Sequence, residues 1–186
     1  MKITLLGDSI RCQYGEIVPS LLGDEFEVYQ PNDNCRFSKY TIRIIADHKG
    51  YMEGSRIVHW NNGLWDICNC LGDDFFTPID EYIANMSRIA DELLRRYDKV
   101  IFATTTPLNK HPEFNDSIDV VRYNNALIPV LEAKGVIIND LFTPMAADVQ
   151  KYIRSDDHIH LTDEAIKICA DIVANKIREV AKTIKD

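Results

Sequence analysis

The sequence predicts an α/β protein, a single three-layer α/β/α domain spanning residues 1–186, and three observations predict it. Short apolar runs alternate with longer amphipathic stretches along the whole chain. The hydrophobic share of 46% and charged share of 27% are those of an ordinary globular domain that can bury a sizeable core. No repeat, linker or low-complexity segment divides the chain. Strands that alternate with helix-length segments pair in parallel, in a sheet covered on both faces.

The first strand is expected at residues 2–6, Lys-Ile-Thr-Leu-Leu. A first helix is expected over 14–22, weakened by Gly15 and Pro19. Further strands are expected at 26–29, 56–60, 99–103 and 136–138. Thr77-Pro78-Ile79-Asp80 reads as a helix start: Thr77 caps, Pro78 takes the first helical position and Asp80 completes a capping box. Ile79, Ile83, Met86, Ala90 and Leu93 or Leu94 follow at helical spacing as a core stripe. A helix over 118–134 stops at Gly135. The last helix starts near Thr162 and carries Ile166, Cys169, Val173, Ile177 and Val180.

Charge and cysteine content narrow the function classes. Lys and Arg number 21 against 29 Asp and Glu, a formal charge of −8. An acidic surface repels phosphate backbones, and the basic residues form no stripe, which argues against nucleic acid as a partner. The five cysteines, Cys12, Cys35, Cys68, Cys70 and Cys169, are irregularly spaced and read as reduced thiols. The opening apolar run is too short for a signal peptide or a membrane span, so the chain reads as cytoplasmic as written, or secreted or periplasmic if a leader has been removed. No membrane partner is expected, and the oligomeric state is not encoded in any visible pattern.

Three groups of residues carry chemistry. Gly7-Asp8-Ser9 stands where the first strand ends, and ligands of open parallel sheets bind beyond the carboxyl ends of strands. From that position Ser9 serves equally well as a nucleophile or as a helix cap. Near the other end stands Asp156-Asp157-His158-Ile159-His160-Leu161-Thr162. A serine needs a base to take its proton, and the base needs a carboxylate to fix its tautomer; Asp157-x-x-His160 offers both. Thr162 caps the last helix, so His160 lies just ahead of a positive dipole end that favours neutral imidazole. After the third strand comes Trp60-Asn61-Asn62-Gly63-Leu64-Trp65. An asparagine amide there can donate to an oxyanion, or it can close an Asx turn.

Taken together these residues resemble the SGNH hydrolases, the GDSL-like lipase, esterase and acylhydrolase family. Gly7-Asp8-Ser9 matches the family's first block, Asn61 its third-block asparagine, and Asp157-x-x-His160 followed by Leu161-Thr162 its last block. The blocks occur in family order between positions 7 and 162. The resemblance implies a flavodoxin-like sandwich with a five-stranded parallel sheet, and ester hydrolysis with no metal or other cofactor. It assigns Ser9 as nucleophile, His160 as base and Asp157 as its orienter, with an oxyanion hole made by Ser9 and Asn61. The chain departs from the family at two glycines. His59 stands two residues before Asn61 where a glycine is usual. The second-block glycine is missing, and Ser38 or Lys39 is expected to supply its backbone N–H.

Asp8, Asn62, Trp60, Trp65 and His158 are expected to line the substrate site. The polar loop from Thr104-Thr105-Thr106-Pro107 through His111 and Asn115 is expected to form the rim opposite the tryptophans. Aromatics beside polar groups suit a sugar ring, so a short acyl ester on a small molecule or carbohydrate is the expected substrate. Two other readings stand: a non-catalytic ligand-binding module on the same fold, and a metal-dependent hydrolase using Asp156, Asp157, His158 and His160.

Overall fold

The computed structural model describes residues 1–69, 71–110 and 117–185. Cys70, His111 and Asn115 lie outside them. Five strands form one parallel sheet: β1 (Lys2–Leu6), β2 (Glu27–Tyr29), β3 (Ile57–Trp60), β4 (Lys99–Ala103) and β5 (Ile137–Asn139), in the order β2-β1-β3-β4-β5. Register is continuous across the centre, with Leu5 beside His59 and His59 beside Ile101. The central strands are apolar on both faces, as a doubly covered sheet requires: Leu5, Leu6, Ile57, Val58, Ile101 and Phe102 are all buried.

Helices α1 (Ser9–Gly15), α2 (Val18–Leu22) and α9 (Asp163–Ala181) form one layer, with α9 packed on α1 and α2 and touching β3 and β5. Helices α3 (Ser38–His48), α5 (Ile79–Leu94) and α6 (Ser117–Ala133) form the other, with α5 between α3 and α6 and against β4. Three short helices complete the described chain: α4 (Leu64–Ile67), α7 (Phe142–Ala146) and α8 (Val149–Tyr152). No helix among the described residues is long and apolar enough to cross a membrane.

The strands fall where the apolar runs place them; the helices differ in places. The single helix expected over 14–22 is two. The chain turns helical at Ser9 because Asp8 caps it, its side chain accepting from Ile10 N at 3.0 Å. Gly15 ends α1, and Pro19 sits near the start of α2, where its missing N–H costs nothing. Thr77 is not the cap of α5: that helix starts after Pro78, and the Thr77 side chain instead hydrogen-bonds to Asp66. Helix α3 was not expected at all. Its residues Thr41, Ile42, Ile44 and Ile45 are β-branched, which weakens helical propensity. Its N-terminus is capped from 28 residues away: Ser38 N and Oγ both donate to the Asp66 carboxylate, at 2.9 and 2.7 Å. An acidic group at a helix N-terminus also complements its dipole.

The order β2-β1-β3 matters for function. The chain leaves β1 toward one edge of the sheet to form β2 and then returns past it to β3. The crevice beyond the carboxyl ends of β1 and β3 is therefore the topological switch point, where open α/β sheets bind ligands. The turn 7–9 and the loop 61–66 both open into it.

Candidate active site

Ser9 is the first residue of α1, and the His160 loop closes over it. His160 Nε2 lies 2.9 Å from Ser9 Oγ, and His160 Nδ1 lies 3.0 Å from Asp157 Oδ2. The loop is wound around the aspartate. Asp157 Oδ1 accepts from the backbone N–H groups of Ile159 and His160, both at 2.9 Å, and His158 turns through a left-handed conformation with φ of 64°. Burial pushes the Asp157 carboxyl up, but the two backbone donors and the imidazole outweigh it and hold it below the usual carboxylate value. An ionised Asp157 draws the imidazole hydrogen to Nδ1 and leaves Nε2 to accept from the serine hydroxyl.

Asn61 sits on the other side of the serine turn. Its Nδ2 donates to Asp8 Oδ1 at 2.7 Å, and its Oδ1 accepts from Tyr14 OH at 3.3 Å. Those two partners fix which way the amide faces. Asp8 itself is fully buried, and desolvation raises its pKa to about 6 against the opposing pull of Asn61 and Ile10. Gly7 is required here: a Cβ on it would stand 2.0 Å from Asn61 Oδ1. The loop after β2 is tied to the same turn, Cys35 N donating to Gly7 O at 2.9 Å and Gly7 N to Cys35 Sγ at 3.3 Å. Arg11 clamps that loop further, donating to the carbonyls of Pro31 at 3.1 Å and Asp33 at 2.6 Å.

Several expected roles are corrected by these contacts. Ser38 cannot supply an oxyanion N–H, because that hydrogen is committed to Asp66. Lys39 N–H remains, in the first turn of α3, where helical geometry provides no acceptor. Trp60 does not line the substrate site: it is fully buried in β3, its ring 4.9 Å from that of Phe102. Asp8 caps α1 rather than facing substrate. Asn62 is also buried and structural, its Nδ2 donating to Arg36 O and its Oδ1 accepting from Thr41 Oγ1. Its carbonyl accepts from Tyr82 OH and Thr105 Oγ1. Thr104, Thr105 and Thr106 are buried rather than on a rim. Asn109, further along that loop, donates its N–H to His158 O at 2.9 Å and so braces the histidine loop. Trp65 is exposed on α4, as a substrate-facing aromatic needs to be.

His59, in place of the usual glycine, does not intrude on the site. Its ring is fully buried in β3, edge-on to Tyr14 at 6.0 Å and 3.1 Å from Asn139 Nδ2, and desolvation lowers its pKa to about 3. Asp156, the first carboxylate of the alternative metal cluster, turns to Arg154 at the surface. Among the described residues no three His, Cys, Asp or Glu side chains are grouped to hold an ion. A groove of about 450 Å³ between α3 and α5, lined by Ile45, Lys49, Arg88, Arg95 and Arg96, lies toward the C-terminal ends of those helices, away from Ser9.

Sequence reasoning missed Tyr14, Gln13, Cys35, Arg11 and Asp66. Each acts through a partner distant in sequence, which a local string does not show. No protein-family model matches this sequence, and no curated protein does either. Solved structures do. The acetyl xylan esterase AlAXEase superposes with a TM-score of 0.76 at 16% identity, covering 95% of this chain and 100% of its own. Axe2, an acetylxylan esterase from Geobacillus stearothermophilus, gives 0.74 at 14%, covering 95% and 93%. A lipase/acylhydrolase from Enterococcus faecalis gives 0.74 at 16%, covering 96% and 95%. At such identities the likeness speaks to the backbone, and what it establishes is that this chain has the fold of the SGNH, or GDSL-like, hydrolases.

Proposed function

We propose that this chain is a serine hydrolase of carboxylic esters, working through Ser9, His160 and Asp157 on a short acyl group, of the acetyl kind, carried by a carbohydrate. The observation that carries the reading is the continuous hydrogen-bond line from Ser9 Oγ through His160 to Asp157, at 2.9 and 3.0 Å, standing at the switch point of the sheet. Residues 151 positions apart in sequence are brought to hydrogen-bond distance there. Two of the fold relatives, AlAXEase and Axe2, are acetyl xylan esterases, and Ser→Ala and His→Ala variants of Axe2 are described as catalytic mutants.

In this mechanism Ser9 Oγ attacks the ester carbonyl carbon while its proton passes to His160 Nε2. Asp157 holds Nδ1–H and stabilises the imidazolium that forms. The carbonyl oxygen, now an anion, is met by the Ser9 N–H at the start of α1, by the Lys39 N–H at the start of α3 and by Asn61. The Asn61 amide has two hydrogens on Nδ2; Asp8 takes one and the other is left for the oxyanion. The imidazolium returns its proton to the alcohol as the tetrahedral intermediate collapses. Water then attacks the acyl-Ser9 by the same route and releases the acid. Trp65 offers a face for a sugar ring.

Hydrolysis of p-nitrophenyl acetate, butyrate and octanoate by wild type, Ser9→Ala and His160→Ala tests this. Turnover should fall from acetate to octanoate in wild type and drop to background in both variants. Equal turnover in wild type and Ser9→Ala would overturn it. An octanoate rate above the acetate rate would keep the serine mechanism and overturn the short acyl group.

A further inference from the structure

We infer that Gln13 is a positioning residue for the Ser9–His160 pair, docking the histidine loop onto the helix that carries the serine. The inference rests on the reading of Ser9 and His160 as nucleophile and base.

Gln13 lies four residues after Ser9 on α1, so the two share one face of the helix a turn apart. Opposite them is the segment 160–162, extended like a short strand. One of its edges is paired in the ordinary way: Arg154 N donates to His160 O at 2.8 Å and Thr162 N to Tyr152 O at 2.9 Å, around an antiparallel bridge between Ile153 and Leu161. In such a pairing the N–H and C=O of the middle residue point away from the partner strand. Leu161 is only 1% exposed, so both groups need a protein partner.

Gln13 supplies both. Leu161 N donates to Gln13 Oε1 at 3.1 Å, and Gln13 Nε2 donates to Leu161 O at 3.3 Å. A carboxamide carries a donor and an acceptor in one planar fork, so this side chain stands in for the neighbouring strand that the segment lacks. The contact is adjacent to the chemistry on both sides. Ser9 meets His160, and one turn along the helix Gln13 meets the next residue of the loop. The carboxamide thus fixes the distance of the imidazole from the serine oxygen while touching neither.

Gln13→Met tests this, since it keeps the length and bulk of the side chain and removes both hydrogen bonds. The expected result on p-nitrophenyl acetate is a kcat lower by about 10- to 100-fold with KM within about twofold, because small displacements of reacting groups are costly to rate and not to binding. Amide hydrogen exchange, which needs no turnover, is the second arm. In wild type the Leu161 amide should exchange slowly; in Gln13→Met it should speed up while Arg154 and Thr162, on the paired edge, stay protected. Wild-type kcat in a folded Gln13→Met protein would overturn the inference, as would a Leu161 amide that exchanges in wild type as fast as an open loop. Should wild type and Ser9→Ala both lack ester turnover, the serine reading falls, and the exchange arm still decides whether Gln13 holds the loop.

Discussion

At the scale of single residues the site depends on polar groups kept out of water. Asp66 is the clearest case. It caps α3 through Ser38 and links to Thr77, yet desolvation raises its pKa to about 6. Between about pH 6 and 4 the folded chain therefore holds a proton that the unfolded chain has lost, and the contribution of Asp66 to stability grows as the pH falls through that window. His59 works in the opposite sense. Burial holds its pKa to about 3, so below about pH 6.5 the unfolded chain takes up a proton that the folded chain refuses, and stability is lost on acidification. Urea unfolding of paired variants separates the two. The stability of wild type relative to Asp66→Asn should rise by about 2 kcal/mol from pH 7 to 4, while that relative to His59→Gln should fall over the same interval. Pairs that differ by a constant amount at every pH would contradict the buried, titrating states described for both groups. The hydrogen-bonded line of Ser9, His160 and Asp157 was readable because Gly7-Asp8-Ser9 and Asp157-x-x-His160 are local strings. Asp8, Asn62 and Trp60 were misread because sequence shows that a residue lies near a strand end but not which way it faces. Trp60 faces the core, and Asp8 and Asn62 face the backbone they hold.

At the scale of elements, the site is a set of three chain ends wired together: the turn after β1, the start of α3 and the loop after β3. Gly7 is the closest point of that wiring. Its φ is 153°, and Asn61 Oδ1 stands 2.0 Å from where a methyl group would sit, which leaves no room for a side chain. Gly7→Ala should displace the Asn61 amide and lower kcat for p-nitrophenyl acetate on the order of 100-fold or more, the typical cost of an oxyanion donor. A folded Gly7→Ala protein with wild-type kcat would contradict the placement of Asn61. The strands and the long helices α5, α6 and α9 were legible because periodicity and stop signals agree: Gly135 lies just beyond α6 with φ of 91°, and Thr162 caps α9 by accepting from Ala165 N. Helix α3 was not legible because its cap, Asp66, comes from another element, and α4 because it is a single turn.

At the scale of the whole molecule, the sheet order places the two halves of the site. The order β2-β1-β3 opens the crevice in which Ser9 and Asn61 stand, and α9 packed on α1 brings the chain's far end back over the serine. The loop that carries His160 is then held from three directions: by Gln13 on α1, by Asn109 beyond β4, and by the bridge to Ile153. Nothing in the strings around Ser9 or His160 states those long-range ties, which is why the residue types of the site could be read from sequence and its supports could not. The central claim is that Ser9 is made nucleophilic by His160. The most direct measurement is intact-protein mass after exposure to a fluorophosphonate, for wild type, Ser9→Ala and His160→Ala. The account predicts one adduct on wild type, mapped to Ser9, with none on Ser9→Ala and labelling of His160→Ala slowed by orders of magnitude. Wild type left unlabelled, or an adduct that persists in Ser9→Ala, would contradict it.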